Sequence, residues 1–421
     1  MPFESKTPDR HLFRTGISGV SVLALAACLL LASSPAGAVI FDTTGDPGYN
    51  TNAPSGAMAD SGWNYEGLFG VFMGTAVAPH FFLTAKHIGG DTNTPFVFDG
   101  TLYYPDASYD DPGAGSDLRL WHVPAALPRY APTYTGSNEV GAALAVFGRG
   151  TQRGGEVVTG GLTNGWLWGS DDGVPRWGSN RVESIASLEG ADYLYATFDH
   201  GAGPDECHLS TGDSGGAAFV LADGRWQLAG IHYSVDGSFN VTNSGVGFDA
   251  AIDDEYGLYI DNSNHWELVT RHVASGFYSS RVSAHYAWIT QVIPDFDSDA
   301  NGIPDAWELR YSGSIHGLVA TNDPDHDRFD NLAEWTALTD PTNALSFFSI
   351  AAITNSNGAV TVSFLGRSNR FYRVFATEDL AHGSWDPATS NSFPGAEGPT
   401  AWTDTNLPPV RFYRVGFSVE P

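Results

Sequence analysis

Thr211-Gly212-Asp213-Ser214-Gly215-Gly216 is followed by the apolar run Ala217-Ala218-Phe219-Val220-Leu221, so a loop of small residues feeds directly into a strand. A serine hydroxyl is a poor nucleophile at neutral pH. It needs a base within hydrogen-bond reach and fixed donors for the oxyanion that its attack creates. Glycines on both sides of Ser214 permit a tight turn and leave the Gly212 and Ser214 amides to face that charge. Upstream, Phe81-Phe82-Leu83-Thr84-Ala85-Lys86-His87 reads as an apolar strand ending in a histidine, a placement that aims one ring nitrogen at a serine. Between the two, Ser116-Asp117-Leu118-Arg119-Leu120-Trp121 sets an aspartate at the start of a further strand, suited to accept the Nδ1 proton of His87 and fix its tautomer. Asp110 and Asp111 are rivals for that role, but they precede Pro112 in a turn-like stretch, which favours Asp117.

The order histidine, aspartate, serine resembles that of the chymotrypsin-like serine proteases. Thr84-Ala85-Lys86-His87 is similar to that family's Thr-Ala-Ala-His, Asp117-Leu118-Arg119-Leu120 to its Asp-Ile-Ala-Leu, and Gly212 to Gly216 matches its serine motif. Arg281 to Ile289 looks like the helix that closes the family's double β-barrel, so the resemblance covers about Gly67 to Ile293. It implies an all-β catalytic domain, a chymotrypsin-like double β-barrel with a C-terminal helix. The implied activity is hydrolysis of protein or peptide substrates through an acyl-enzyme, with His87, Asp117 and Ser214 as the triad and the Gly212 and Ser214 amides as the oxyanion hole. The short spacing from His87 to Asp117 implies trimmed loops. The family's animal members mature to a new Ile or Val terminus whose ammonium pairs with the aspartate before the serine; here Val39-Ile40 and Asp213 are available. His208 stands six positions before Ser214, where trypsins carry the aspartate that binds Arg or Lys, so trypsin-like specificity is disfavoured. Leu228 to Tyr233 is similar to the Gly-Ile-His-Trp of glutamyl endopeptidases, which implies that His232 contacts an acidic side chain, although Leu209 stands where those enzymes place a hydroxyl.

The 421 residues carry 20 Lys plus Arg against 48 Asp plus Glu, a formal charge of −28. That excess repels a phosphate backbone and no basic run offsets it, which excludes nucleic acid as a partner. With 12 Trp, 17 Tyr and 25 Phe there is ample material for packed cores, and 49 Gly and 24 Pro between short apolar runs favour strands and turns. Lys6, Arg10 and Arg14, then the apolar stretch Ile17 to Ala32 and Ala36-Gly37-Ala38, read as an export signal over residues 1–38. A secreted protein, extracellular or periplasmic, is therefore expected, with no membrane span in the mature chain. Leu25-Ala26-Ala27-Cys28 looks like a lipoprotein box, but Leu29, Leu30 and Leu31 carry the apolar run past the cysteine and argue against lipidation. Loss of the signal leaves Cys207 alone, so no intramolecular disulfide is available.

Composition then divides the mature chain into an N-terminal segment, residues 39–66, the catalytic body, 67–293, an acidic linker, 294–345, and a β-rich module, 346–421. From Asp295 to Asp340 there are eleven acidic residues against Arg310 and Arg328. Asp297, Asp299, Asn301, the Ile303 carbonyl, Asp305 and Glu308 occupy positions 1, 3, 5, 7, 9 and 12 of a calcium loop, with Gly302 at the sharp-turn position. Asp323, Asp325, Asp327, the Phe329 carbonyl, Asn331 and Glu334 repeat that register, with Arg328 in the glycine's place. Both loops resemble the EF-hand-like, dockerin-like and thrombospondin type 3 repeats of secreted proteins, which implies two Ca2+ ions. The last segment repeats Arg370-Phe371-Tyr372-Arg373-Val374 as Arg411-Phe412-Tyr413-Arg414-Val415. Read as a small β-sandwich-like domain, it resembles strand-rich terminal modules of bacterial secreted enzymes, which implies attachment, sorting or substrate capture through a cell surface or a secretion component, with a plain stabilising sandwich as the equal alternative. The competing reading of the whole chain is a protease-like, calcium-dependent adhesin with weak turnover.

Overall fold

The computed structural model describes residues 39–262, 265–405, 408 and 410–420, and the expected signal, residues 1–38, lies outside them. From Glu66 to Arg281 the chain is strand and turn, as short alternating runs bounded by Gly, Pro and Asp predict. Two seven-stranded sheets make up most of it. The first is ordered Thr101–Tyr103, Phe96–Phe98, Glu66–Phe69, Phe72–Ala78, Phe81–Ala85, Leu118–His122, Ala107–Asp110. The second runs Arg176–Arg181, Ala143–Gly148, Ala217–Ala222, Arg225–Val235, Gly276–Arg281, Ala191–Thr197, Ser184–Leu188. Neighbouring strands are antiparallel throughout. Among the described residues no ladder joins the two edges of either sheet, so the ladders trace two open sheets and the double barrel stays an implication of the resemblance.

The two sheets share one core. Met73, Val77, Leu83, Leu118 and Leu120 of the first pack in the same cluster as Phe147, Phe219, Leu228 and Ile231 of the second. Burying each large side chain contributes about 1.5–3 kcal/mol, which holds the sheets face to face and brings their loops together. The helix expected at the end of this body is present as a 3-10 turn, Val282–His285, continued by the α-helix Tyr286–Val292, and Val282, Trp288 and Ile289 enter the shared core.

Each acidic loop is followed by a short helix, Asp305–Ser312 and Asn331–Ala337. Asp330 caps the second by accepting from the Ala333 amide, satisfying one of the donors a helix start leaves open. The repeated pentapeptides lie on Phe371–Thr377 and Phe412–Ser418, which pair antiparallel with Val374 opposite Val415, so the repeat marks two neighbouring strands of one sheet. This sheet is tied back by Arg370, whose guanidinium donates to the Trp335 and Thr336 carbonyls. Among the described residues no helix is long and apolar enough to cross a membrane.

Candidate active site

Strand register sets the first two members of the triad. Phe81–Ala85 pairs with Leu118–His122 so that Ala85 faces Leu118, which leaves the next residue of one strand opposite the preceding residue of the other. Lys86 N accordingly donates to the Asp117 carbonyl at 2.6 Å, and the 3-10 turn Lys86–Ile88 swings His87 over the aspartate. Asp117 Oδ1 accepts from the His87 amide at 2.9 Å and Oδ2 faces His87 Nδ1 at 2.6 Å. The other ring nitrogen, Nε2, lies 2.8 Å from Ser214 Oγ, which comes from the second sheet. The Asp117 side chain is 9% exposed and that of His87 40%, so the imidazole is open to solvent and its carboxylate partner is not. The rivals are committed elsewhere: Asp110 pairs with Arg119, and Asp111 with His285 and Ser116.

The serine loop is shaped by glycines. Gly212 and Gly215 have φ of 94° and 80°, left-handed values that L side chains rarely adopt, and a Cβ on Gly215 would stand 2.6 Å from the Met73 carbonyl oxygen. Neither the Gly212 nor the Ser214 amide donates to another group among the described residues, whereas Gly215 N donates to the His232 carbonyl and His232 N to that of Gly216. The loop is thus braced from Arg225–Val235 while two amides remain free to receive an oxyanion.

Asp213 points the other way, into the body. Its carboxylate accepts from Gly150 N at 2.6 Å, Ser210 N at 2.7 Å and Ser210 Oγ at 3.1 Å, and from the backbone N–H of Val39. Burial pushes its carboxyl up to about 6 in spite of these donors. Val39 and Ile40 are buried, and Ile40–Phe41 pairs with Cys207–His208, so the segment after the expected cleavage point reaches the residue before the nucleophile.

A cavity of about 190 Å³ opens beside Ser214, with Trp168, Leu209, Ser210, His232, Tyr233 and Val235 among its walls. His208 is not part of this lining. It is fully buried between Phe198 and Phe277, with Nδ1 against the Leu209 carbonyl, and so does not meet the substrate position that its sequence offset from Ser214 implied. His232 does line the cavity. Its Nδ1 is 2.9 Å from Ser279 Oγ, the Phe147 and Ala217 carbonyls lie near the ring without a well-formed hydrogen bond to Nε2, and burial pushes the imidazole down to about 3. Sequence reading missed Ser279, Trp168 and the stack of Tyr193 on Tyr233, which also stands edge-on to His87. No local motif announces them.

The two acidic loops wrap alike. Gly302 N donates to Asp297 Oδ2 at 2.7 Å, and in the second loop Arg328 N donates to Asp323 Oδ2 at 2.9 Å, with Arg328 held at a φ of 81° beside 91° for Gly302. Ile303 N donates to Asn301 Oδ1 and Phe329 N to Asp327 Oδ1, both at 2.8 Å. Asp305 is committed to Ser298 and Tyr286, and Asp299 lies near Arg225 at 3.8 Å. Carboxylate oxygens of Asp323, Asp325 and Asp327 lie within 4.8 Å of one another. Glu308 Oε2, Asp325 Oδ2, Asp327 Oδ2, Asn331 Oδ1 and Glu334 Oε2 are buried without partners. Burial pushes Glu308 up to about 8, Glu334 to about 7 and Asp297 to about 6.

No family model matches the chain, and no curated protein does. Among solved structures it is similar to neuropsin, a serine protease expressed in the limbic system of mouse brain, at 11% identity and a TM-score of 0.33 over 56% of this chain and 96% of that one.

Proposed function

We propose that the chain is a secreted serine endopeptidase, and the observation that carries this reading is the continuous relay from Asp117 through His87 to Ser214 across two sheets. Ser214 Oγ attacks the scissile carbonyl while His87 Nε2 takes its proton; the negative charge passes to the carbonyl oxygen, facing the Gly212 and Ser214 amides. Asp117 holds Nδ1–H and stabilises the imidazolium. On collapse the C–N bond breaks, His87 returns the proton to the leaving amine, and the acyl group stays on Ser214. Water, deprotonated by the same nitrogen, then hydrolyses the ester and restores the serine. Removal of the signal after Ala38 would put the ammonium of Val39 where its amide N–H now faces Asp213.

The side chain before the scissile bond enters the cavity beside Ser214. Among the described residues no Lys or Arg lines it, and His232 in its wall is the donor that supports a preference for an acidic residue there. Two calcium ions belong to the same reading, held by Asp297, Asp299, Asn301, Ile303, Asp305 and Glu308 and by Asp323, Asp325, Asp327, Phe329, Asn331 and Glu334. Orphaned oxygens at positions 3, 5, 9 and 12 of the second loop and at position 12 of the first, on Glu308, support the fit. Bound there, calcium neutralises clustered carboxylates and takes no part in the chemical step. The C-terminal module would serve attachment or sorting.

A fluorophosphonate probe tests the assignment. An adduct on Ser214, found by mass spectrometry and abolished in His87→Ala, is the expected result. An unlabelled wild-type protein that binds surfaces in calcium would replace the protease with the adhesin.

A further inference from the structure

Three segments far apart in sequence converge away from the catalytic cleft. Asp42 follows the strand Ile40–Phe41, His200 lies in the turn after Ala191–Thr197, and Asp253 follows Ala250–Ile252. His200 Nδ1 stands 3.2 Å from Asp42 Oδ1 and 3.1 Å from Asp253 Oδ2. The side chains of Asp42 and Asp253 are only 4% and 8% exposed, whereas His200 is 76% exposed. One imidazole nitrogen carries at most one proton, which can point at only one of two oxygens. A second observation points the same way: Asp253 Oδ1 is buried with no hydrogen-bond partner at all. Two enclosed carboxylates and an imidazole nitrogen are therefore gathered with more acceptor capacity than the protein's own donors fill.

Arg153 is drawn towards Asp42 and Asp253 but forms no ion pair with either carboxylate among the described residues. Arg153 donates to the Phe41 and Asp42 carbonyls and lies 3.7 Å over the Trp166 ring, so its guanidinium is engaged by backbone and indole. The remaining neighbours are mostly acidic: a cavity of about 390 Å³ beside the cluster is lined by Asp199, Asp254, Thr163 and His272, and His272 Nδ1 is itself 2.7 Å from Asp254. This cavity is an entry path and leaves room for a water. Asp42 Oδ2 already accepts from Gly201 N at 2.8 Å, an outer contact of the kind that orients a ligating carboxylate.

We propose that Asp42, His200 and Asp253 form a binding site for one zinc-class divalent cation, which staples the N-terminal strand to the catalytic body. The donor set selects the ion. Calcium and magnesium take oxygen ligands, while an imidazole with two carboxylates suits a first-row metal. Zinc bonds of about 2.0–2.1 Å in a tetrahedron set the ligand atoms about 3.3 Å apart, close to the separations observed from Nδ1. The fourth position faces the cavity and takes water. The consequence is structural: Asp42 lies three residues beyond Val39, whose backbone reaches Asp213 next to the nucleophile, so a metal at Asp42 holds that segment in place.

The test uses the full chain, stripped with a chelator and returned to saturating Ca2+ so that the acidic loops take the ion they favour. Titration with Zn2+ is expected to give one equivalent retained through desalting and a rise in Tm. Titration with Co2+ should give the visible absorption of a four-coordinate ion. His200→Ala, which removes an exposed side chain and spares the core, and Asp253→Asn should each weaken Co2+ binding by about tenfold or more. Asp325→Asn in the second acidic loop should leave it unchanged. Failure to retain a stoichiometric ion, or Co2+ affinity equal to wild type in folded His200→Ala, would overturn the site, as would a loss confined to Asp325→Asn.

Discussion

Asp117 and the acidic stretch put carboxylates under cover in opposite ways. Both oxygens of Asp117 meet donors of one neighbour, the amide and Nδ1 of His87, and nothing from outside is needed to complete the group. In the stretch from Asp297 to Glu334, five side-chain oxygens are enclosed with no donor. Glu66 shows a third solution inside the first sheet: Thr75 donates to Oε1 at 2.8 Å, Oε2 has no partner, and burial raises the carboxyl well above the usual range, which favours its protonated form. Protein donors and a proton thus answer the same desolvation penalty, as a cation would under the calcium proposal, and each answer fails under a different treatment.

The largest expected effect breaks the first arrangement. Ser214→Ala or His87→Ala should remove about 10⁶-fold of kcat, and the double variant should be no worse than either single one because triad members act as a unit. Asp117→Asn keeps the shape of the side chain and loses the acceptor for Nδ1–H, so a fall of about 10⁴-fold is expected. Losses that add in the double variant, measured by single-turnover peptide cleavage, would show that His87 and Ser214 do not work together.

Under the proposed calcium binding, chelation should break the second arrangement and spare the first. Removing calcium leaves the carboxylates of the acidic stretch repelling one another. The two loops should not yield together. Tyr130 donates to Asp297 and Thr133 N to the Ser298 carbonyl, which ties the first loop to the catalytic body, while Asp323, Asp325 and Asp327 are only partly covered. With a chelator present, an added protease is expected to cut within Asp323 to Glu334 first and later near Asp297. Cleavage in the reverse order, or none with and without chelator, would count against calcium in the second loop.

These contrasts also mark where the sequence could be read. Ser214, His87 and Asp117 were legible because each sits at a strand end in a local motif, and the ladder between Phe81–Ala85 and Leu118–His122 then fixes two of them without further information. The strand-rich body follows from short apolar runs between turn residues, the closing helix from the resemblance, and the two loop registers from the spacing of their acidic residues. The reach of Val39 to Asp213, Ser279 behind His232, and the convergence of Asp42, His200 and Asp253 depend on tertiary neighbours that no local pattern encodes. His208 is the instructive miss. Its offset from Ser214 suggested a substrate contact, but Phe198 and Phe277 enclose it behind Leu209.

Glu66 sharpens the comparison through stability. A carboxyl whose folded pKa is raised contributes stability that is fully present below its unfolded value near 4.5 and is lost as pH rises through the folded value. Glu66→Gln, an uncharged mimic of the protonated acid, should therefore melt with wild type at pH 4 and above it at pH 8. Equal Tm values at pH 8 would mean that the Glu66 carboxylate is solvated on ionisation.

The smallest effect concerns His232, where the buried group is an imidazole and the remedy is neutrality. Burial pushes it down to about 3, so under the proposed acidic preference it would meet a substrate carboxylate from pH 5.5 to 9 as an uncharged hydrogen-bond donor. One such bond to a charged group is worth about 1.5–3 kcal/mol, or about 10- to 150-fold in kcat/KM. The ratio of cleavage after Glu to cleavage after Gln should thus hold constant across that pH range. His232→Ala should collapse the ratio toward one while Ser214 still reacts with a fluorophosphonate. A ratio that rises as pH falls would require a charged His232, and a peptide-library profile dominated by Arg, Lys or large apolar residues would remove His232 from substrate choice.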